Sequence, residues 1–146
     1  MIPVTIKYIS PDDPAYRGVW DLREEVLRKP LGLSLRDEDL SGEAGEQIIA
    51  ALQGDAVVGC VMLRPAGTEA LKLRQMAVAV SQQGRGTGAA LVHAAETFAL
   101  RNGYKAITLH ARMTAVPFYE RLGYRAEGDV FEEVGIPHLL MNKQLL

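Results

Sequence analysis

The sequence MAVAVSQQGRGTGAALVHAAETFALRNGY, residues 76–104, decides the fold. It opens with an apolar run, passes through a glycine-rich turn, and continues with apolar residues at the spacing of one helix face. Those residues are Leu91, Val92, Ala95, Phe98 and Ala99. Asn102 and Gly103 then end the segment as a helix C-terminus would. The stretch therefore predicts a strand, a tight turn and a helix in succession.

The glycine-rich turn, residues 84–88, has the character of an anion-binding turn. The first N–H groups of a helix have no partners within the helix, and the helix dipole favours a negative charge there. Glycines leave the backbone accessible, and Arg85 adds a positive charge at the same place. The alternative is a strand-to-helix turn that binds no ligand.

Two nucleotide-binding motifs compete for this turn. The P-loop requires a Lys directly after its last Gly, and Ala89 stands there instead. The dinucleotide fingerprint is formally met by residues 84–89, but it also needs an acidic residue about 20 positions later. No Asp or Glu occurs between Glu96 and Glu120. A third pattern, Q/R-x-x-G-x-G/A, is met by residues 83–88 and remains.

The rest of the chain predicts elements in the order β-α-β-β-β-α-β-α-β-β. The predicted strands and helices are a strand at 2–9, a helix at about 13–28, a three-strand meander at 47–53, 56–65 and 69–80, the helix after the glycine turn, a strand at 104–111, a short helix at 114–123, and strands at 124–134 and 137–146. A meander followed by a β-α-β crossover predicts an α/β (α+β) fold, with a mixed, mostly antiparallel sheet and helices on both faces. Without repeats or linkers, residues 1–146 are expected to form a single domain.

Composition narrows the possible partners. A net charge of -2 gives no overall basic field, so no nucleic-acid partner is expected. The acid-rich segment 36–46 is either a solvated loop or a rim that steers a cationic substrate. Cys60 is the only cysteine and is predicted to be a core residue. No signal peptide or membrane-length apolar run is recognised, so we expect a cytoplasmic protein without a membrane partner, and no metal site is predicted.

Three motifs in order resemble the GNAT family of N-acetyltransferases. They are the strand LRQMAVAV (73–80), the glycine turn, and AVPFYERLGY (115–124). The resemblance covers about residues 46–128, and the tail FEEVGIPHLLMNKQL (131–145) resembles a subset with a GIPH segment. It implies the GNAT fold, acetyl-CoA as the acyl donor, and direct attack of an amine on the thioester without a covalent enzyme intermediate.

The resemblance also implies which residues bind coenzyme A. The backbone of Met76, Ala77 and Val78 would pair with the pantetheine arm, and main-chain N–H groups would hold the pyrophosphate. The turn residues concerned are Gln83, Gly84, Arg85, Gly86, Thr87, Gly88 and Ala89. Ala115 and Phe118 would line the flank of the cofactor. The structural alternative for all of them is ordinary packing.

Tyr119 is the expected catalytic residue. In the family, the Tyr of this motif lies near the thioester sulfur and donates a proton to the departing thiolate. A phenol with a pKa of about 10 is a reasonable acid for that step. The alternative is a core Tyr whose hydroxyl is already hydrogen-bonded.

The chain departs from the family pattern on the side of the acceptor. Ile107 stands where many members have a Glu that serves as the base, and Arg112 stands where many have an Asn. The remaining candidates for the base are His110, Glu69, Glu133 and His138, or water. His110 and His138 are also candidates for the substrate site, together with Arg23, which would bind a substrate carboxylate. Each has a structural alternative, and His93 is expected to be exposed or structural.

The sequence therefore predicts an N-acetyltransferase that uses acetyl-CoA and acts on a small-molecule or protein amine. One alternative is a non-catalytic acyl-CoA-binding sensor, and another is a structural protein that uses the fold for dimer contacts. A homodimer is compatible with all three. The acceptor itself is not specified, because the fold alone does not choose a substrate.

Overall fold

The computed structural model describes residues 2–146, and its elements follow the predicted order. The strands are β1 (Val4–Ile9), β2 (Gln47–Gln53), β3 (Ala56–Ala66), β4 (Ala70–Val78), β5 (Ala106–Arg112), β6 (Arg125–Glu133) and β7 (Ile136–Gln144). The helices are α1 (Tyr16–Arg23), α2 (Thr87–Arg101) and α3 (Val116–Arg121). Among these described residues, no helix is long and apolar enough to cross a membrane.

The first helix is shorter than predicted. Regular α-helix ends at Arg23, and one π-helical turn over Glu24–Arg28 follows. Lys29 keeps helical angles (φ −53°, ψ −43°), and a 3-10 turn over Lys29–Leu31 leads to Gly32, whose φ is 72°. The carboxylate of Glu24 accepts hydrogen bonds from Ser34 Oγ at 2.6 Å and the Leu35 N–H at 2.9 Å. These bonds fix the following loop against the end of the helix.

The seven strands form one sheet in the order β1-β2-β3-β4-β5-β7-β6. The β1–β2, β2–β3, β5–β7 and β6–β7 pairs are antiparallel, and β4–β5 is parallel. The parallel pairing runs from Ala70–Ala106 to Leu73–Leu109. The predicted mixed, mostly antiparallel sheet is therefore confirmed.

The chain divides into two compact units. The first comprises the residues up to Arg64 together with Gln75–Ala95, and the second comprises Pro65–Arg74 and Glu96–Leu146. In the first unit, α1 packs through Val19 and Leu22 on one face of the strands. Its partners in that core are Ile9, Ile48, Ala50, Cys60, Met62 and Ala77. The single-domain organisation of the whole chain stays a prediction.

The opposite face of the first unit carries α2. A Cβ on Gly59 of β3 would lie 3.0 Å from Leu91 Cδ1 and 3.1 Å from Thr87 Cγ2. Because Gly59 has no side chain, the first turns of α2 lie directly against β3. This close approach places the glycine turn at the edge of a rigid layer, and it puts helices on both faces of this unit, as the sequence predicts.

The second unit contains a part-buried polar cluster. Tyr124 Oη donates to Glu96 Oε2 at 2.9 Å, and Lys143 Nζ lies 3.1 Å from the same oxygen. Lys143 also donates to the Leu122 carbonyl at 2.9 Å. Glu96 lies on α2 and Lys143 on β7, so the cluster joins the helix to the last strand. Such groups are tolerated in a core because their hydrogen bonds are satisfied.

Candidate active site

The glycine turn presents unpaired backbone N–H groups. Ala90 is the first residue here to close a helical bond, donating to the Gly86 carbonyl at 3.0 Å. Within the described chain, the N–H groups of residues 86–89 have no backbone acceptor. Four unpaired N–H groups at the start of a helix are the usual physical basis of an anion site. Arg85 is exposed, and no salt bridge to its guanidinium occurs among the described residues.

The glycines of the turn have a conformational role as well. Gly84 and Gly86 have φ angles of +78° and +83°, a region that other residues adopt at a cost. A Cβ at either position would have no atom within 4 Å, so open space lies above both. Access for a ligand is therefore only part of their explanation. Positive φ is a structural reason for these two glycines, in addition to the access that they leave for a ligand.

The side chain of Gln83 makes a hydrogen bond within the turn region. Its side-chain amide donates to the Val78 carbonyl at 3.1 Å and holds the turn to the end of β4. The side chain of Thr87 is buried. Both side chains are therefore engaged within the protein, and coenzyme binding through the backbone of these two residues stays a prediction.

The strand before the turn combines a core role with an irregular backbone. Ala77 is buried, whereas Met76 and Val78 are half-buried. Gln75, directly before them, has a φ of 56°.

Cys60 on β3 is fully buried, and burial raises the pKa of its thiol to about 12. A neutral thiol at that depth is a core group, as predicted, and not a nucleophile.

Tyr119 has a buried ring and an unbonded hydroxyl. The residue is 5% exposed, and its ring packs edge-on against Phe118 at 4.9 Å and Tyr124 at 5.7 Å. Its hydroxyl makes no hydrogen bond in the described structure. Because no solvent-sealed side-chain N or O atom among these residues lacks a partner, the Tyr119 Oη must reach solvent. Burial raises the pKa of this phenol, so it stays protonated.

The other residues of the Tyr119 motif have ordinary packing. Phe118 is half-buried against the ring of Tyr119. Ala115 ends the short 3-10 turn Met113–Ala115 before α3 and is half-buried. Their role in lining the flank of the cofactor stays a prediction.

His110, Glu133 and His138 meet in the second unit. His110 Nδ1 lies 2.9 Å from Glu133 Oε1, and His138 Nε2 lies 3.7 Å from Glu133 Oε2. Phe131 contacts both imidazoles, edge-on at 5.0 Å to His110 and stacked at 6.0 Å on His138. Three of the four predicted candidates for the base are therefore in one cluster.

The hydrogen bonds of this cluster assign its protons. A carboxylate and a carbonyl only accept, so His110 Nδ1 donates to Glu133, and His138 Nδ1 donates to the Ile136 carbonyl at 2.9 Å. This arrangement leaves the Nε2 lone pair of His110 free when the ring is neutral. Burial alone would raise the pKa of Glu133, but the hydrogen bond and charge of His110, with the charges of His138 and Lys72, lower it overall.

Other candidates for the base lie outside this cluster. Ile107 is fully buried, so its position is part of the core. The Glu69 side chain lies 3.6 Å from Lys105 Nζ, and its carbonyl accepts from the Lys105 N–H at the start of β5. His110 lies towards the other end of that strand. His93 is exposed on α2, as expected.

Arg23 occupies a different environment from the predicted one. It is fully buried, and its terminal nitrogens lie 2.9 and 2.8 Å from the two carboxylate oxygens of Glu43. Its Nε donates to Gln75 Oε1 at 3.0 Å. A substrate carboxylate would have to displace Glu43, so this geometry replaces the acceptor-site interpretation of Arg23 with an internal ion pair.

The acid-rich segment 36–46 is neither a plain solvated loop nor a free acidic rim. Glu38 lies 2.6 Å from Arg28 Nε, and Glu46 lies 4.0 Å from Arg64. Glu43 pairs with Arg23, so three acidic residues of this segment form ion pairs with arginines elsewhere in the chain. Sequence reasoning missed these pairs because their basic partners are distant in sequence. In the described residues, no cluster of three His, Cys, Asp or Glu side chains could hold a metal ion.

Comparison with known proteins identifies the family. The chain matches the family model described as an acetyltransferase (GNAT) domain over residues 23–145. A Bacillus subtilis (strain 168) protein named as an acetyltransferase, without a stated substrate, is 33% identical over 146 residues. The alignment covers 97% of each chain.

Solved structures share the fold. An aminoglycoside 6'-N-acetyltransferase complexed with coenzyme A is 19% identical, with a TM-score of 0.81 and 97% coverage of both chains. A GNAT acetyltransferase from Elizabethkingia anophelis with acetyl-CoA bound is also 19% identical, with a TM-score of 0.74 and coverage of 97% of this chain and 98% of that one. The chain therefore belongs to the GNAT family of acetyltransferases.

Proposed function

We propose that this chain transfers the acetyl group of acetyl-CoA to an amine of a small molecule or a protein. The observation that carries the proposal is the row of N–H groups without a backbone acceptor at residues 86–89, at the start of α2, with open space beside Gly86. A diphosphate is the anion that such a row accommodates, because several N–H groups can donate to its oxygens at once. Coenzyme A carries such a diphosphate, and two structural relatives hold coenzyme A or acetyl-CoA.

Tyr119 is the proposed acid. Its hydroxyl has no competing hydrogen bond, so it is available to a thiolate that leaves beside it. Burial raises the pKa of Tyr119, which by itself weakens it as an acid. The same loss of solvation also raises the pKa of a thiol held in the same surroundings. Because both pKa values rise, the difference between the phenol and the thiol changes less than either value alone.

His110 is the proposed base, and Glu133 orients it. The bond from Nδ1 to the carboxylate fixes the tautomer and leaves Nε2 as the proton acceptor. His110 is part-exposed, so an incoming amine or a bridging water can reach that nitrogen. This pair supplies the function of the Glu that is absent at position 107.

The reaction then needs no covalent enzyme intermediate. The amine nitrogen attacks the thioester carbonyl carbon, the C–S bond breaks, His110 Nε2 takes the proton of the amine, and Tyr119 Oη gives a proton to the thiolate. The products are the acetylated amine and coenzyme A. Holding both reactants together supplies up to roughly 7–11 kcal/mol of the barrier reduction.

An acyl-CoA sensor is the second candidate, because Ile107 removes the usual carboxylate base. Thiol release from acetyl-CoA in the presence of a panel of amines, with the acetylated product identified by mass spectrometry, separates the two. Amine-dependent release supports the enzyme. Acetyl-CoA binding without release supports the sensor, and no binding at all rejects both. A homodimer, a cytoplasmic location and membership of the GIPH subset stay predictions.

A further inference from the structure

Gln75 has an unusual backbone for a residue inside a strand. Its φ is 56°, whereas β4 runs on both sides of it, over Ala70–Val78. The left-handed region is uncommon for residues other than glycine, and it persists where the surroundings fix it. The pairing of β4 with β5 ends at Leu73–Leu109, two residues earlier. The bend therefore lies at the point where β4 leaves this ladder.

Two contacts hold this bend. The Oε1 atom of Gln75 accepts from Arg23 Nε at 3.0 Å, and its carbonyl lies 3.5 Å from Cys60 Sγ, a weak donor. Four residues after Gln75, the Ala79 N–H donates to the Val58 carbonyl of β3 at 2.8 Å. The chain is therefore bonded to β3 just beyond the bend.

Arg23 is itself fixed. Its terminal nitrogens form a two-pronged pair with Glu43 at 2.9 and 2.8 Å, which leaves Nε directed at Gln75. Bidentate pairs between Arg and a carboxylate define orientation as well as energy. Burying two charges is costly, and apolar residues of similar volume often stabilise a core as well or better. Stability alone therefore does not account for a buried pair directed at a strained residue.

We propose that Arg23, oriented by Glu43, is a positioning residue that holds Gln75 in its left-handed conformation and so presents the backbone of Met76–Val78 to the acyl donor. The inference rests on the proposed function, in which this run pairs with the pantetheine arm. Without the bend, the carbonyl and N–H groups of residues 76–78 would be oriented for pairing with a neighbouring strand and not for pairing with the acyl donor. Arg23 then acts through Gln75 and touches no substrate.

Replacing Gln75 by two small residues isolates its backbone conformation. Gln75→Gly and Gln75→Ala both lose the contact with Arg23, but only glycine adopts positive φ freely. We expect the coenzyme A dissociation constant of Gln75→Ala to be about tenfold above that of Gln75→Gly, with the KM for acetyl-CoA following it and the KM for the amine unchanged. Equal affinities of the two variants would overturn the proposal.

A second comparison tests Arg23 directly. The double change Arg23→Leu with Glu43→Leu removes both charges and leaves neither buried alone. It should weaken coenzyme A binding when residue 75 is Gln, and have at most a slight effect when residue 75 is Gly. Equal weakening in both backgrounds would show that the pair acts only through stability. Circular dichroism confirms folding at the temperature used. If the double variant does not fold, Arg23→Lys, which keeps a positive charge beside Glu43 but has no Nε donor for Gln75, is compared in the same two backgrounds, with the same expectation.

Binding of coenzyme A by the unaltered protein is measured first in the same series. Absence of binding there defeats the proposed function. Binding that is indifferent to all these changes defeats only the positioning role of Arg23.

Discussion

His110 Nδ1 lies 2.9 Å from Glu133 Oε1, although the two residues belong to strands that are separated in the sheet by β7. Their side chains meet beside His138, the β7 residue that pairs in register with both Arg112 of β5 and Phe131 of β6. The contact joins a nitrogen base to a carboxylate that orients it. No other described candidate for the base has a carboxylate partner of this kind at hydrogen-bonding distance.

The first prediction concerns this pair. His110→Asn should lower kcat by about 10²–10⁴, the usual contribution of a general base. Glu133→Gln should lower kcat less, because the imidazole remains but loses its orientation. Stopped-time thiol-release assays measure both. Glu132→Gln is the matched control, since Glu132 is exposed and adjacent in sequence, and a loss of rate as large as that of Glu133→Gln would contradict the assignment.

The second prediction compares two buried tyrosines. Tyr119→Phe should leave the free energy of unfolding within about 0.5 kcal/mol, because the hydroxyl that it removes makes no hydrogen bond. It should nevertheless lower kcat while coenzyme A binding is retained. Tyr124→Phe should show the reverse, losing roughly 1.5–3 kcal/mol through its bond to the Glu96 carboxylate. Denaturant unfolding and thiol release together test the contrast, and unchanged turnover in Tyr119→Phe would remove it as the acid.

The third prediction concerns the glycine turn. Gly86→Ala forces an L side chain into a φ of +83°, which should cost about 1–2 kcal/mol of stability and weaken coenzyme A binding. The added Cβ meets no atom within 4 Å, so steric overlap inside the protein is not the cause. Gly42→Ala is the control, because a Cβ at Gly42 also meets nothing, and its φ is not positive. A Gly86 variant as stable and as tightly binding as the Gly42 variant would contradict the prediction.

Some features of the candidate site follow from the local sequence, and others do not. The glycine turn and the helix after it depend on local spacing, so the strand-turn-helix order and the element sequence were predictable. The role of Tyr119 followed only from the resemblance to the GNAT family and stays a prediction. The sheet type followed from the same order. Ile107 is fully buried, which is consistent with an apolar residue at the position where many family members have a Glu.

The pairing of side chains could not be predicted in the same way. Glu133 and His110 are 23 residues apart, and their approach depends on the strand order β5-β7-β6. Arg23 and Glu43 are 20 residues apart and meet through irregular turns, which carry weak periodicity. The positive φ of Gln75 could not be predicted, because glycine and asparagine are the residues that usually adopt it and neither stands at this position. Tertiary contacts determine all three features.

The fourth prediction concerns stability in acid. The pKa of Glu133 is lower in the folded protein than the ordinary value of 4.5. Its contribution is therefore fully present above the unfolded pKa and is lost as the pH falls through the folded pKa. Between about pH 5 and pH 3, the Tm of Glu133→Gln should fall less than that of the unaltered protein. Parallel Tm curves for the two proteins would show that the carboxylate has no such role.

Comparing coenzyme A with pantetheine in thermal unfolding tests the central claim most directly. Both carry the thiol arm, but only coenzyme A has the pyrophosphate that the N–H groups of residues 86–89 are proposed to hold. At 100 times its Kd, coenzyme A should stabilise the protein by about 2.7 kcal/mol, a rise in Tm of roughly 5–10 °C. Pantetheine at the same concentration should give a much smaller rise. Equal shifts with both compounds, or none with either, would contradict the account.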